Sequence, residues 1–142
     1  MSIHDCRLIE LPKISDPRGN LSFVEGGNHI PFDIKRIYYL YGVPHNEIRG
    51  GHAHKMLHQL MLPISGSFCV ELNDGHERES HLLESPNIGL YICPMIWRDL
   101  SQFSPHATCV VLASDYYAED DYYRNYEEFI VAINKARSQV TL

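Results

Sequence analysis

A mainly β domain, built as a sandwich, jelly roll or barrel and followed by one C-terminal helix, is the fold class the sequence predicts. Three observations predict it: short strand-like runs recur along the chain, turn-forming residues separate them, and no long helical pattern interrupts them. The runs cover residues 21–25, 35–41, 59–64, 67–73, 77–83, 89–93 and 108–114. Between them, Pro17-Arg18-Gly19-Asn20, Gly26-Gly27-Asn28, Ser65-Gly66-Ser67 and Ser85-Pro86-Asn87 supply residues that tolerate tight or left-handed backbone. Asn73-Asp74-Gly75, set between alternating runs, reads as a hairpin turn. In the tail, Asp120 or Asp121 can cap a helix whose Tyr122, Tyr126, Phe129 and Ile133 fall on one face.

A chain of 142 residues is the size of one domain, expected here over residues 1–142 without linker or repeat. The formal charge of -6 gives no overall basic footprint, which argues against nucleic acid and anionic membranes as partners; a nucleotide needs only a few local cations. Residues 1–15 interleave Asp5, Arg7 and Glu10 with apolar residues, unlike a secretory signal, and no stretch approaches the ~20 apolar residues of a membrane span. A cytoplasmic location is expected. Cys6, Cys69, Cys93 and Cys109 form no CxxC pair, and three lie in apolar runs, so reduced thiols are the simpler reading.

The chemistry concentrates at Arg49-Gly50-Gly51-His52-Ala53-His54-Lys55. Residues two apart in an extended segment point to the same side, so His52 and His54 would share one cavity. His52, His54, Gln59 and Gly66 match the spacing of the first cupin motif, with Gln59 where the metal-binding Glu normally stands. Gly89 to Arg98 would be the second motif, and its metal-binding His is absent, with Arg98 and Asp99 in that vicinity. Gln and Arg are poor substitutes for Glu and His as ligands, so no metal is expected; His58 is the one further imidazole near enough in sequence to join the pair.

More specifically, the sequence resembles the dTDP-4-keto-6-deoxyglucose 3,4-ketoisomerases, cupin enzymes of deoxysugar biosynthesis. The matching pieces are Asp16-Pro17-Arg18-Gly19-Asn20-Leu21, Ile30 to Tyr39, Arg49 to Lys55, Pro94 with Trp97, and Ala113-Ser114-Asp115-Tyr116-Tyr117 leading to Asp121-Tyr122-Tyr123-Arg124. The resemblance implies a cupin-type jelly-roll homodimer, a dTDP-linked 4-keto-6-deoxy sugar as substrate, and neither metal nor organic cofactor. It also implies a place in 3-amino-sugar supply for an O-antigen or S-layer glycan, with an aminotransferase as the next user.

The residues make chemical sense of that. The C3 hydrogen of a 4-keto sugar is α to the carbonyl; a base can remove it to give an enediol, and a proton returned at C4 leaves the ketone at C3. A neutral imidazole of ordinary pKa near 6.5 suits the task, and His52 is the expected base. His54 would orient His52 or shuttle the proton between the sugar oxygens. Tyr39 and Tyr41 share a strand face, and Tyr39, which lies in the matching segment, is the expected hydrogen-bond donor to the enediolate; Tyr41 is a substrate contact or a core aromatic. Arg18, Arg49, Arg98 and Arg124 are candidate diphosphate partners, and Trp97 would stack on base or sugar or fill the barrel mouth. The rival readings are a 3,5-epimerase of the same substrate class, a metal-dependent cupin oxygenase and a non-catalytic sugar-nucleotide sensor.

Overall fold

The computed structural model describes residues 1–140. Strands run in the order β1 (Arg7–Glu10), β2 (Lys13–Asp16), β3 (Gly19–Ser22), β4 (Arg36–Tyr41), β5 (Arg49–His54), β6 (Gln59–Ser65), β7 (Phe68–Asn73), β8 (Arg78–Leu83), β9 (Ile88–Ile92), β10 (Trp97–Ser101), β11 (Thr108–Ala113) and β12 (Tyr122–Tyr123), before helix α1 (Tyr126–Val140). They form two five-stranded sheets, β1-β9-β6-β11-β4 and β12-β5-β10-β7-β8, and a separate β2-β3 hairpin. The pairings within both sheets are antiparallel. This is the cupin-type jelly roll with a terminal helix that the sequence implies.

The sheets share one core. From the first come Leu60, Leu90 and Val111, from the second Phe68, Val70, Leu72 and Leu100, all at most 2% exposed. Each such side chain contributes about 1.5–3 kcal/mol through the apolar surface it removes from water. Phe68 stacks on Phe103 at 5.2 Å, and the β6–β7 turn beneath them passes so close to the 104–107 loop that only glycine fits. Gly66 holds φ +65, and a Cβ there would lie 2.8 Å from the Ala107 Cα.

Where β5 meets β10 the register shifts between Arg98 and Asp99: Arg98 stands opposite His52, and Asp99 opposite Gly50. This bulge leaves Gly51 without a partner in the ladder. Gly50 takes φ +87 there, with its Cα so near the Arg98 carbonyl that an added Cβ would sit 2.9 Å from it.

The expected runs at 35–41, 59–64, 67–73, 77–83, 89–93 and 108–114 become β4, β6, β7, β8, β9 and β11. β3 takes only the start of the 21–25 run, because it is set by the turn at Pro17 to Asn20. β1, β2, β10 and β12 carry no alternation that distinguishes them from loops; β10, for instance, turns Arg98 inward and is half polar. The helix begins later than expected. Asn125 rather than an aspartate caps it, its Oδ1 accepting the Glu128 N–H at 3.0 Å. Tyr122 instead pairs with His54 as a strand residue, which frees Asp121 for other work. Phe129 and Ile133 do pack inward, against Ala53 and Trp97. Among the described residues no helix is long and apolar enough to cross a membrane.

Candidate active site

A cavity of about 500 Å³ opens between the two sheets, within the ~300–1,000 Å³ typical of ligand sites. Strand alternation decides what enters it. On β4 the inward residues are Arg36, Tyr38 and Leu40; on β5, His52; on β10, Arg98. Arg49, Tyr117, Tyr122 and Arg124 complete its rim. His54, 1% exposed, lies behind His52 and borders a second cavity of about 350 Å³, together with Asp121 and with Arg36 and Tyr122, which line both cavities.

The histidine pair is brought together as the spacing predicts. The rings of His52 and His54 meet edge to face at 4.9 Å, and Tyr122 covers both, at 5.1 and 4.3 Å. His54 Nδ1 lies 2.9 Å from the Asp121 carboxylate. A carboxylate there accepts only, so Nδ1–H donates and Nε2 carries the lone pair. The same carboxylate accepts the Met56 N–H at 2.8 Å, which pins it in place. Nε2 of both histidines is buried and without a partner among the described residues.

Burial pushes the His52 pKa down to about 4, and the nearby Arg98 guanidinium adds to the effect. His54 is held lower still, at about 2, by burial first and Arg98 second. Both imidazoles are therefore neutral bases at physiological pH. Burial raises the Tyr38 phenol, so it keeps its proton.

Arg98 is the largest fully buried side chain, and no carboxylate pairs with it among the described residues. Its Nε and one terminal nitrogen donate to the Ile96 carbonyl at 3.3 and 3.1 Å, and the other terminal nitrogen donates to Gln59 Oε1. Gln59 Nε2 in turn donates to the Tyr38 hydroxyl at 2.8 Å. These residues do not fit a cupin metal. No group of three His, Cys, Asp or Glu is placed to hold an ion among the described residues, and the Arg98 guanidinium is near enough to both histidines to oppose a further positive charge there.

Of the other expected site residues, Arg49 and Arg124 reach the cavity rim. Arg124 lies over Tyr122 at 4.0 Å and pairs with Glu119, which holds the Glu119 carboxyl down at about 2. Tyr39 and Tyr41 do not reach it. They lie on the outer face of β4, 60% and 71% exposed, because the inward phase of the strand falls on even numbers. Tyr38 takes the place expected of Tyr39. Trp97 also points away: next to inward Arg98, it packs on Tyr126 at 5.3 Å and Phe129 at 5.8 Å under α1. Arg18 sits on the β2–β3 hairpin, its side chain 90% exposed and paired with Asp16. His58 turns from the pair to bond the Tyr91 hydroxyl at 2.7 Å. The sequence did not single out Arg36, Tyr38, Asp121 and Tyr122 as site residues, although all four lie in matching segments, 30–39 and 113–124, which was the available signal.

A pocket with two neutral imidazoles, a phenol and several arginines suits proton transfer on an anionic sugar ligand. The profile of the family described as FdtA, WxcM-like, C-terminal, matches residues 4–134. The chain belongs to this family. A relative, the TDP-4-oxo-6-deoxy-alpha-D-glucose-3,4-oxoisomerase of Aneurinibacillus thermoaerophilus, is 44% identical over 123 residues, 87% of this chain and 88% of that one. A mutant of the 3,4-ketoisomerase QdtA from Thermoanaerobacterium thermosaccharolyticum, solved in complex with TDP-4-keto-6-deoxyglucose, matches at TM-score 0.91 and 40% identity, over 94% of this chain and 96% of that one. The WlaRB TDP-quinovose 3,4-ketoisomerase from Campylobacter jejuni matches at TM-score 0.87 and 44% identity, over 91% and 99%. The FdtA-family chain described here is, with them, an enzyme of the isomerase class.

Proposed function

We propose that this chain converts a dTDP-linked 4-keto-6-deoxyglucose to the 3-keto sugar through an enediol, without metal or organic cofactor. The observation that carries this reading is the pair of buried, neutral imidazoles whose Nε2 atoms have no partner among the described residues, beside a cavity ringed by arginines. His52 faces the cavity directly and is the base that takes the C3 proton and returns one at C4. The O3 proton must move to O4 as the carbonyl migrates, and His54, with its tautomer fixed by Asp121, accepts and releases it. Tyr38 donates to the oxyanion that develops between these steps, and Arg98 supplies positive charge in a site shielded from water. Arg36, Arg49 and Arg124 at the mouth are the diphosphate partners; guanidinium suits bidentate phosphate contacts.

In this reading the chain is a single domain that works in the cytoplasm as a homodimer. Ile37, Tyr39 and Tyr41 support the dimer: they form an exposed apolar row on edge strand β4, with the tyrosine rings 5.8 Å apart. The product would feed a transaminase in 3-amino-sugar supply for a surface glycan. NMR of the keto sugar incubated in deuterated buffer tests the activity. A 3-keto product with deuterium at C4, lost with His52→Asn, is the expected result. Deuterium returned with the carbonyl still at C4 would mean epimerisation, and tight binding without change would mean a sensor.

A further inference from the structure

Gln59 is fully buried at the start of β6, where the metal cupins of the resemblance carry a glutamate. We propose that Gln59 is a positioning residue which, clamped by Arg98, makes the Tyr38 hydroxyl a hydrogen-bond donor to the cavity. The inference rests on the reading above, in which that cavity holds the keto sugar.

The direction of each bond follows from what the groups can do. A guanidinium only donates, so the amide atom against Arg98 must be the oxygen of Gln59. That leaves the amide NH₂ facing Tyr38 at 2.8 Å, and an NH₂ only donates, so the Tyr38 oxygen accepts. The phenolic hydrogen is then not consumed by Gln59, and no other protein acceptor takes it among the described residues. Tyr38 lines the cavity, and burial keeps it protonated, so its hydrogen is directed at the ligand. Rotating the amide would set its NH₂ against the guanidinium, donor against donor, while Nε and the other terminal nitrogen of Arg98 stay bonded to the Ile96 carbonyl. The chain Arg98 to Gln59 to Tyr38 therefore has one polarity.

A carboxylate at position 59 would reverse the last link. It accepts from both sides, so it would satisfy Arg98 and also draw the Tyr38 hydrogen to itself. The enediolate would lose its donor, and the charge on Arg98 would be neutralised. Glutamine at this position thus does more than abolish a metal site: it orients a neutral acid for the reaction.

The test is a cycle of kcat and KM for the wild type, Gln59→Glu, Tyr38→Phe and the double variant with the keto sugar. Losing one oxyanion donor costs on the order of 10²–10³ in kcat. Gln59→Glu and Tyr38→Phe should each lose about that factor with KM within about threefold, and the double variant should be no slower than the slower single. Because a buried carboxylate can prevent folding, the same cycle is run on the isosteric Gln59→Met. Tyr38→Phe should then cost less in the Gln59→Met background than in the wild type. Wild-type turnover in this assay upholds the reading of the cavity, so losses that multiply, or an equal cost of Tyr38→Phe in both backgrounds, would overturn the positioning role alone.

Discussion

His52 ties the stability of the fold to pH. In the unfolded chain it titrates near 6.5, while in the native state it stays neutral down to about 4. Between those values the unfolded state binds a proton that the native state refuses, so stability is complete above pH 6.5 and falls as the pH is lowered. At ~1.36 kcal/mol per pH unit, acidification from 6.5 to about 4 removes at most about 3 kcal/mol through His52. His54, neutral to about 2, removes a comparable amount over the same window. The two together remove about 6 kcal/mol by pH 4, a large part of the roughly 5–15 kcal/mol typical of a domain. Urea melts followed by the fluorescence of Trp97, buried beside α1, measure this at pH 7.5, 6.5, 5.5 and 4.5. The wild type should lose about 1.4 kcal/mol more per pH unit below 6.5 than His52→Asn does. Equal slopes, or a native His52 that titrates near 6.5 by NMR, would refute the argument. Activity gives a second reading, because a base neutral to about 4 keeps kcat/KM level well below pH 6.5.

Asp121→Asn should lower kcat on the order of 10²-fold with little change in KM, because an amide no longer forces the proton onto His54 Nδ1; ¹⁵N NMR of labelled histidine should show the tautomer ratio change. Tyr39→Phe and Tyr41→Phe, on the outer face of β4, should leave kcat within about threefold of the wild type, and a loss like that of Tyr38→Phe would put the wrong face of the strand inside. Gly66→Ala should destabilise by about 2 kcal/mol or more, read as an urea midpoint shift, since both its positive φ and the Ala107 backbone oppose a Cβ.

What the sequence disclosed and what it hid have physical reasons. The shared direction of His52 and His54 follows from period two alone, and the structure agrees. Period two failed at Arg36 to Tyr41 because Ile37, Tyr38, Tyr39, Leu40 and Tyr41 are apolar or aromatic on both faces; such a run shows that a strand exists but not which face turns inward. Tyr39 is preferred to Tyr41 because it lies in the matching segment, and nothing in the run shows that the face the two share is the outer one. Trp97 and Arg98 are both buried, but it is the arginine that faces the cavity while the tryptophan packs on the other side under α1, and only the register against β5 and β7 reveals it. Asp121 meets His54 across 67 residues of chain, a pairing that no local pattern encodes. The arginines at the mouth were partly legible as a type, but their reach depends on the loops that carry them. Arg18, on its exposed hairpin, is outside the cavity of its own chain.

The strand order has a consequence for how the protein comes into being. β1 waits for β9, β4 for β11, and the histidine strand β5 for both β10 and β12. A ribosome emitting this chain from its N-terminus therefore releases most strands before their neighbours exist. Such non-local pairing belongs to the slow, ms–s class of folding. The catalytic pocket gains its last wall when residues 119–124 emerge, so a nascent chain halted before Asp121 would hold both histidines and still lack the carboxylate that sets one of them.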